Sequence, residues 1–278
     1  MATTTSGRDG ERNLAVYIDF ENLALGFEGN RNQFDIGRVL DRLLEKGKVI
    51  VKVAYADWSR FRNFTKVLHE HGIALTEIPK RSMTGKNSAD IRLVVDAMDM
   101  SYSKDHIDTF VIVSGDSDFS PLVAKLKENG KYVIGLGMRQ STSKLLADHC
   151  DEFIFYEELE AESPSLPTSS GSGDEKEAFA LLVDAARAII RENELALASR
   201  IKETIKRKRP SFSESGYGYR SFSELMEDAE EAGLVELKVD DLSGTLVVTK
   251  VKGGGRRRGR RGGRGGGKSG GKVAAKSG

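Results

Sequence analysis

The chain has 278 residues, 38% of them apolar, which suits about two domains once tails and linkers are set aside. Its single cysteine, Cys150, excludes an intrachain disulfide and a cysteine-based zinc site and fits a reducing cytoplasm. The formal charge of +1 hides an asymmetry: from Gly253 onward there are six Arg, three Lys and no acid, so the rest of the chain stands at −8. An acidic body with a basic tail points to a polyanionic partner reached through the tail. No run has the length of a membrane span and residues 1–12 are polar, so neither an anchor nor a signal peptide is expected.

After a polar start over 1–12, which is expected to be disordered, strand-like and helix-like segments alternate. Leu14–Asp19 reads as a strand. Asp35–Glu45 has helical apolar spacing and stops at Gly47. Val49–Tyr55 is a strand, Phe61–Glu70 a helix ended by Gly72, and Ile73–Ile78 a strand. Asp90–Met100 is a helix, Thr109–Val113 a strand, Pro121–Asn129 a helix and Tyr132–Leu136 a strand. A short helix near Ser143–Ala147 and a strand near Phe153–Tyr156 complete the first unit, residues 12–160. Strand–helix alternation with continuous apolar strands predicts an α/β fold, a parallel sheet with helices on both faces.

Residues 161–174 form a Ser/Pro/Gly linker. The second unit, 175–252, opens with an amphipathic helix over Glu175–Arg191. A basic helix follows over Ala198–Lys208, then a third behind the capping box Ser221 and Glu224. Leu234–Val239 and Thr245–Val251 read as a hairpin, so the pattern suggests a winged helix-turn-helix. The Gly/Arg/Lys tail, 253–278, cannot bury a core and is expected to be disordered.

The chemistry concentrates in acids at strand ends. Gly115-Asp116-Ser117-Asp118 follows the strand 109–113, on the edge where open α/β sheets bind ligands. Asp19 closes the first strand, and Asn22 lies where it could turn back to the same mouth or cap a local turn. Glu21 is expected to point elsewhere, because strand neighbours alternate faces. Closely spaced carboxylates repel, and a hard divalent cation, Mg²⁺ or Mn²⁺, relieves that cost. Asp90 opens a helix, where a carboxylate is also favoured as a plain cap. Asp96 follows six residues on and about 120° around the helix, so it need not share a ligand with Asp90. Asp99 reads as solvated surface. Gly115 allows close backbone approach. Asp57 and Trp58 follow the second strand toward the mouth, with packing the expected role of Trp58. The four histidines have no ligand-like spacing and receive no catalytic role.

VYIDFENL, KNSADIRLVVDAMD and VIVSGDSDFSPLVAKLKENGKYVIGLG resemble, in order, the three signature blocks of the NYN domain family, also called DUF88 or LabA-like, within the PIN-like nucleases. The resemblance covers about residues 12–160 and implies a PIN-like Rossmannoid fold and a metal-dependent ribonuclease. It makes Asp19, Asp90, Asp116 and Asp118 the catalytic and metal-binding acids, Asp96 a further metal-site acid and Asn22 a polar helper at the substrate. The chain has Asn-Ser-Ala-Asp at 87–90 where many members carry Lys-Gly-Val-Asp, so the acid is kept and the loop chemistry differs.

Residues 199–235 resemble the OST-HTH or LOTUS domain, which implies RNA binding or docking of RNA-regulatory proteins. From the residues alone, Lys202, Lys206, Arg207, Lys208 and Arg209 make a positive surface for phosphates. Tyr217, Tyr219 and Arg220 are candidates for stacking on exposed bases, although Tyr219 and Phe222 equally suit a core. The RGG-like tail is expected to bind nucleic acid with strong salt dependence.

The expected function is hydrolysis of phosphodiester bonds in single-stranded RNA with one or two Mg²⁺ or Mn²⁺ ions. An RNA-binding regulatory adaptor with weak or no turnover is the alternative. An aspartyl-nucleophile phosphatase is disfavoured, since that chemistry wants Asp-x-Asp on the first strand and position 21 is Glu.

Overall fold

The computed structural model describes residues 11–27, 34–78, 88–161, 173–240 and 244–252. The expectations for residues 1–10, for most of the linker, for Lys86 and Asn87 and for the basic tail lie outside the described residues.

The first set of elements runs β1 (Arg12–Asp19), α1 (Phe20–Gly26), α2 (Ile36–Lys46), β2 (Gly47–Ala56), α3 (Arg62–Glu70) and β3 (Ala74–Glu77). It continues with α4 (Ser88–Ser103), β4 (Thr109–Val113), α5 (Ser120–Glu128), β5 (Tyr132–Gly137), α6 (Lys144–His149), β6 (Glu152–Phe155) and α7 (Tyr156–Ala161). The six strands form one parallel sheet in the order β3-β2-β1-β4-β5-β6. This is the doubly wound arrangement of Rossmann-like folds, with the order reversing between β1 and β4.

Alternation along β1 sends Leu14, Val16 and Ile18 into one apolar layer and Ala15 and Tyr17 into the other. The first layer is closed by α1, α2, α3 and α7 through residues such as Leu23, Val39, Leu68 and Leu159. The second is closed by α4, α5 and α6 through Leu93, Leu126 and Leu146. Both faces are therefore dry, which is why the strands read as unbroken apolar runs.

Two local expectations change. Arg12 was expected to be disordered, but it opens β1, pairs with Gly47 and lays its guanidinium 4.1 Å over the Tyr132 ring. Gly47 serves close packing, not a left-handed helix stop. Its φ is 165°, and a Cβ there would lie 2.4 Å from the Arg12 carbonyl oxygen.

The second set runs α8 (Gly173–Arg191), β7 (Ala196–Leu197), α9 (Ala198–Lys208), α10 (Phe222–Glu231), β8 (Val235–Val239) and β9 (Leu246–Val251). Ser221 Oγ accepts the Glu224 amide at 3.2 Å, and the Glu224 carboxylate accepts from the Arg220 amide at 2.6 Å. The expected hairpin gains a third strand, giving an antiparallel sheet in the order β7-β9-β8. Helices and sheet share their own apolar cluster around Leu182, Ile201 and Leu225. Among the described residues, no helix is long and apolar enough to cross a membrane.

Candidate active site

β1 and β4 are adjacent parallel strands, so their carboxyl ends open side by side at the switch point of the sheet. Asp19 is the last residue of β1 and is only 3% exposed. One of its carboxylate oxygens accepts the Asn22 amide at 3.2 Å, and the other accepts Ser114 Oγ at 3.0 Å. Asn22 Oδ1 in turn accepts the Gly115 amide at 2.8 Å, tying the two strand ends together. Ser114 Oγ accepts the Asp116 amide at 3.2 Å, and Asp116 Oδ1 accepts the Asp118 amide at 3.0 Å across the 3₁₀ turn Ser117–Phe119. Gly115 is required here because a Cβ would meet the Ser141 carbonyl oxygen at 2.5 Å. The Gly115 carbonyl accepts the Ser143 amide at 2.8 Å, so the 138–143 loop seats directly on the site.

The electrostatics join these residues to Asp90 in the first turn of α4. Burial pushes the Asp19 carboxyl up to about 7, with Asp90 and Asp116 adding repulsion while the Asn22 and Ser114 hydrogen bonds oppose the rise. Asp90 is also raised, first by partial burial and then by Asp116, Asp118 and Glu21. Among the described residues, none of these four aspartates forms an ion pair with Lys or Arg. Four acids from three separated segments thus share one uncompensated field.

The donor set is entirely carboxylate oxygen, the chemistry preferred by Mg²⁺ and Mn²⁺. Among the described residues, no three His, Cys, Asp or Glu side chains already surround a common ion position. The side chains instead spend oxygens on local hydrogen bonds, as Asp19 and Asp116 do. Residue type and mutual repulsion fit a divalent cation; binding one requires these carboxylates to draw inward.

Other candidate residues go elsewhere. Asp96 is not brought to the group. Its carboxylate accepts from Tyr55 OH at 2.9 Å and from Arg92 Nε at 3.0 Å, because its turn of α4 faces β1 and β2. Asp99 is exposed, as expected. Trp58 is buried, with its indole donating to the Thr76 carbonyl at 3.0 Å, a packing role. Glu21 was expected to point away by strand alternation, but α1 starts at Phe20, so that alternation no longer applies, and its charge adds to the field that raises Asp90. It accepts the Asp57 amide at 3.1 Å and pairs with Arg60 at 3.2 Å.

In the second unit, Arg207 and Lys208 are held against the first unit and do not form a free phosphate surface. Arg207 donates to the Leu44 and Glu45 carbonyls at 2.8 and 3.2 Å, and Lys208 bonds Glu45 and Asp184 at 2.6 and 2.8 Å. Lys202 pairs with Glu214 at 2.6 Å. Tyr219 is 8% exposed and belongs to the apolar cluster with Phe222, while Tyr217 packs its ring 5.6 Å from Phe212. Lys206, Arg209 and Arg220 remain exposed.

Comparison with known proteins places these observations in a family. An uncharacterized protein of Methanocaldococcus jannaschii is 28% identical over 149 residues, which cover 53% of this chain and 56% of that protein. The chain thus spans little more than half the length of that relative. A crystal structure of a protein of unknown function from Vibrio parahaemolyticus covers 54% of this chain and 96% of its own, at 25% identity and a TM-score of 0.48. The NYN domain matches residues 13–159, more than half of the sequence, from the second residue of β1 into α7. That span takes in every acid at the switch point, and the chain belongs to the NYN domain family, a branch of the PIN-like nuclease superfamily.

Proposed function

We propose that the chain is a ribonuclease that hydrolyses phosphodiester bonds in single-stranded RNA with the help of Mg²⁺ or Mn²⁺. The observation that carries this reading is the buried Asp19 carboxyl, raised to about 7 by burial and by neighbouring acids, at the one edge of the sheet where two strand ends and α4 meet. Perturbed carboxyls in such a crevice are a functional signature. Asp19, Asp90, Asp116 and Asp118 would hold the ion. When bound, a divalent cation supplies a lowered water pKa and neutralises charge on the scissile phosphate.

The other residues prepare the site. Ser114 fixes one Asp19 oxygen, and Asn22 fixes the spacing between the two strand ends through the Gly115 amide. The acids repel an RNA backbone until their charge is compensated, so productive binding at the mouth depends on the cation. Affinity comes from elsewhere: we assign it to an OST-HTH-like winged-helix unit over 175–252, through Lys206, Arg209 and Arg220, and to the basic tail. The same unit is a docking place for an RNA-regulatory protein. A reducing, cytoplasmic setting suits Cys150, whose thiol burial pushes up to about 12.

The test is cleavage of end-labelled single-stranded RNA by the full chain with Mn²⁺, with chelator, and with Asp116→Asn. Loss of cleavage under both perturbations supports the reading. Cleavage that survives both refutes it, and tight binding with no cleavage in either divalent ion favours an RNA-binding adaptor.

A further inference from the structure

A hollow lies at the residues that follow Asp19. Phe20, Phe27, Phe34, Phe61 and Phe64 wall a cavity of about 180 Å³ between α1, the entry to α2 and the start of α3. Around the Phe20 ring, Phe61 and Phe64 stand 5.3 and 5.1 Å away and Phe34 stands 6.1 Å away. The mouth is polar: Glu21, Arg60 and Asn63 border it, with Arg60 paired to Glu21 and lying 5.4 Å over the Phe61 ring. Phe34, Phe61 and Phe64 are only half-buried, so an aromatic surface faces the hollow.

Three features narrow the occupant. The volume is below the roughly 300–1,000 Å³ of sites for drug-sized ligands, so the hollow suits a single ring system. Its walls favour a flat, polarisable face, and its rim offers an acceptor, a charged donor and an amide to the edge of a ring. Its position is also specific: Phe20 and Glu21, which line the hollow, directly follow Asp19 on the chain. Hollow and acid cluster are therefore neighbouring parts of one surface.

Resting on the ribonuclease reading, we propose that this hollow receives one unpaired nucleobase of the RNA whose phosphate lies at Asp19 and Asp116. The base stacks among Phe34, Phe61 and Phe64 and turns its edge to Glu21, Arg60 and Asn63. Stacking on aromatic side chains with hydrogen bonds to a splayed base is the common mode of single-strand recognition. A base inside a duplex cannot enter, so the hollow makes the site selective for single strands.

The probe is a short single-stranded RNA carrying one 2-aminopurine, whose fluorescence falls on stacking. It is titrated with the full chain bearing Asp116→Asn, which stops turnover, in Mn²⁺. The expected result is quenching by this protein and none with the same oligonucleotide in a duplex. Adding Phe61→Ala should weaken binding about tenfold, the size of one lost stacking contact, and remove the quench, and Arg60→Ala, which takes away a donor to the base edge, should reduce both. Phe64→Leu keeps the apolar volume without the ring and decides the matter if Phe61→Ala fails to fold. Unchanged quenching in Arg60→Ala and Phe64→Leu overturns the proposal, as does displacement of the probe from the hollow by N-acetylphenylalanine amide but not by a nucleoside, which marks a protein side-chain pocket. Normal cleavage when Arg60→Ala and Phe64→Leu are made with Asp116 intact, together with unchanged quenching, leaves the nuclease reading standing without the pocket. Quenching without cleavage in any divalent ion leaves the pocket standing without the nuclease.

Discussion

Ser114 Oγ donates to the Asp19 carboxylate at 3.0 Å, joining the ends of the two strands that flank the switch point of the sheet. The same hydroxyl oxygen accepts the Asp116 amide, so one fully buried side chain orients two of the candidate ligands. Ser114→Ala removes a bond that holds Asp19 down and leaves the Asp116 amide without its partner. We expect a loss of about 1–3 kcal/mol in denaturant unfolding, the cost of stranding a buried polar group. Cleavage should fall more than tenfold, since both aspartates lose their orientation, and Ser114→Thr should recover part of both.

Asp19 also makes stability depend on pH. Its folded pKa is raised to about 7 from an ordinary 3.8, so the native state holds its proton more tightly than the unfolded state does. The corresponding stability is fully present below about pH 4 and is lost as pH rises through about 7. Without divalent ions, Asp19→Asn should therefore be more stable than the parent at pH 8, by at most about 4 kcal/mol, and the gap should close toward pH 4. Thermal melts of both proteins in chelator across that range check this. A parent that is the more stable protein at pH 8 contradicts the assignment of Asp19 as an uncompensated buried acid.

Asp96 separates the acid cluster from the acid motif. Its carboxylate is already engaged by Tyr55 and Arg92, and burial together with Asp96 holds the Tyr55 hydroxyl well above its ordinary range. Asp96→Asn should leave cleavage within about twofold of the parent, whereas Asp116→Asn and Asp90→Asn should lower it by at least a hundredfold. Single-turnover assays in Mn²⁺ compare the three. A loss in Asp96→Asn equal to that of the other two would bring it back into the metal group.

The contrast shows what a sequence can and cannot reveal here. The placement of Asp19, Asp116 and Asp118 at one sheet edge was legible because each sits at or just past the end of an apolar strand, and parallel strands must end at a shared edge. Asp96 was not, because a helical offset of about 120° from Asp90 permits either a shared mouth or a separate face, and only the packing of α4 on β1 and β2 decides. Glu21 was misread by carrying strand alternation one residue too far, past the helix that starts at Phe20 with Asp19 capping it through the Asn22 amide. The phenylalanine-lined hollow left no signal, since its rings come from three elements and each reads as ordinary core. Tyr219 and Lys208 show the limit most directly: the apolar neighbours of the first and the acidic partner of the second are chosen by tertiary contact, in the case of Lys208 with Glu45 across 163 positions.

The contact between the two units gives a prediction that distinguishes structural from RNA-binding cations. Arg207 satisfies two carbonyls in the last turn of α2, and Lys208 shares the Glu45 carboxylate with Arg42 and Arg191. The Glu45 side chain is 8% exposed, so this is a buried polar network whose members cannot be removed singly without cost. Arg207→Ala should cost about 1–3 kcal/mol and leave RNA affinity of the folded protein within twofold. Lys206→Ala, from an exposed side chain one position earlier, should do the reverse: weaker RNA binding with an unchanged melting temperature. Chemical denaturation paired with filter binding reads both effects, and an Arg207→Ala protein that is fully stable but loses RNA would return that residue to the phosphate surface.

Residues 253–278 carry six Arg and three Lys against a body of net charge −8, so under the proposed function the tail is expected to supply the main long-range attraction for RNA. Each phosphate neutralised on a single strand contributes about −0.7 to the slope of log affinity against log salt. If all nine tail charges engage, deleting 253–278 flattens that slope by up to about six. The same deletion should leave the Mn²⁺ dependence of cleavage at saturating RNA untouched, because the acids that would hold the ion lie on β1, α4 and the turn after β4. Filter binding between 50 and 300 mM salt, with and without the tail, measures the slope. An unaltered slope would place RNA affinity in the folded units, on Lys206, Arg209 and Arg220, and would make the tail a spectator.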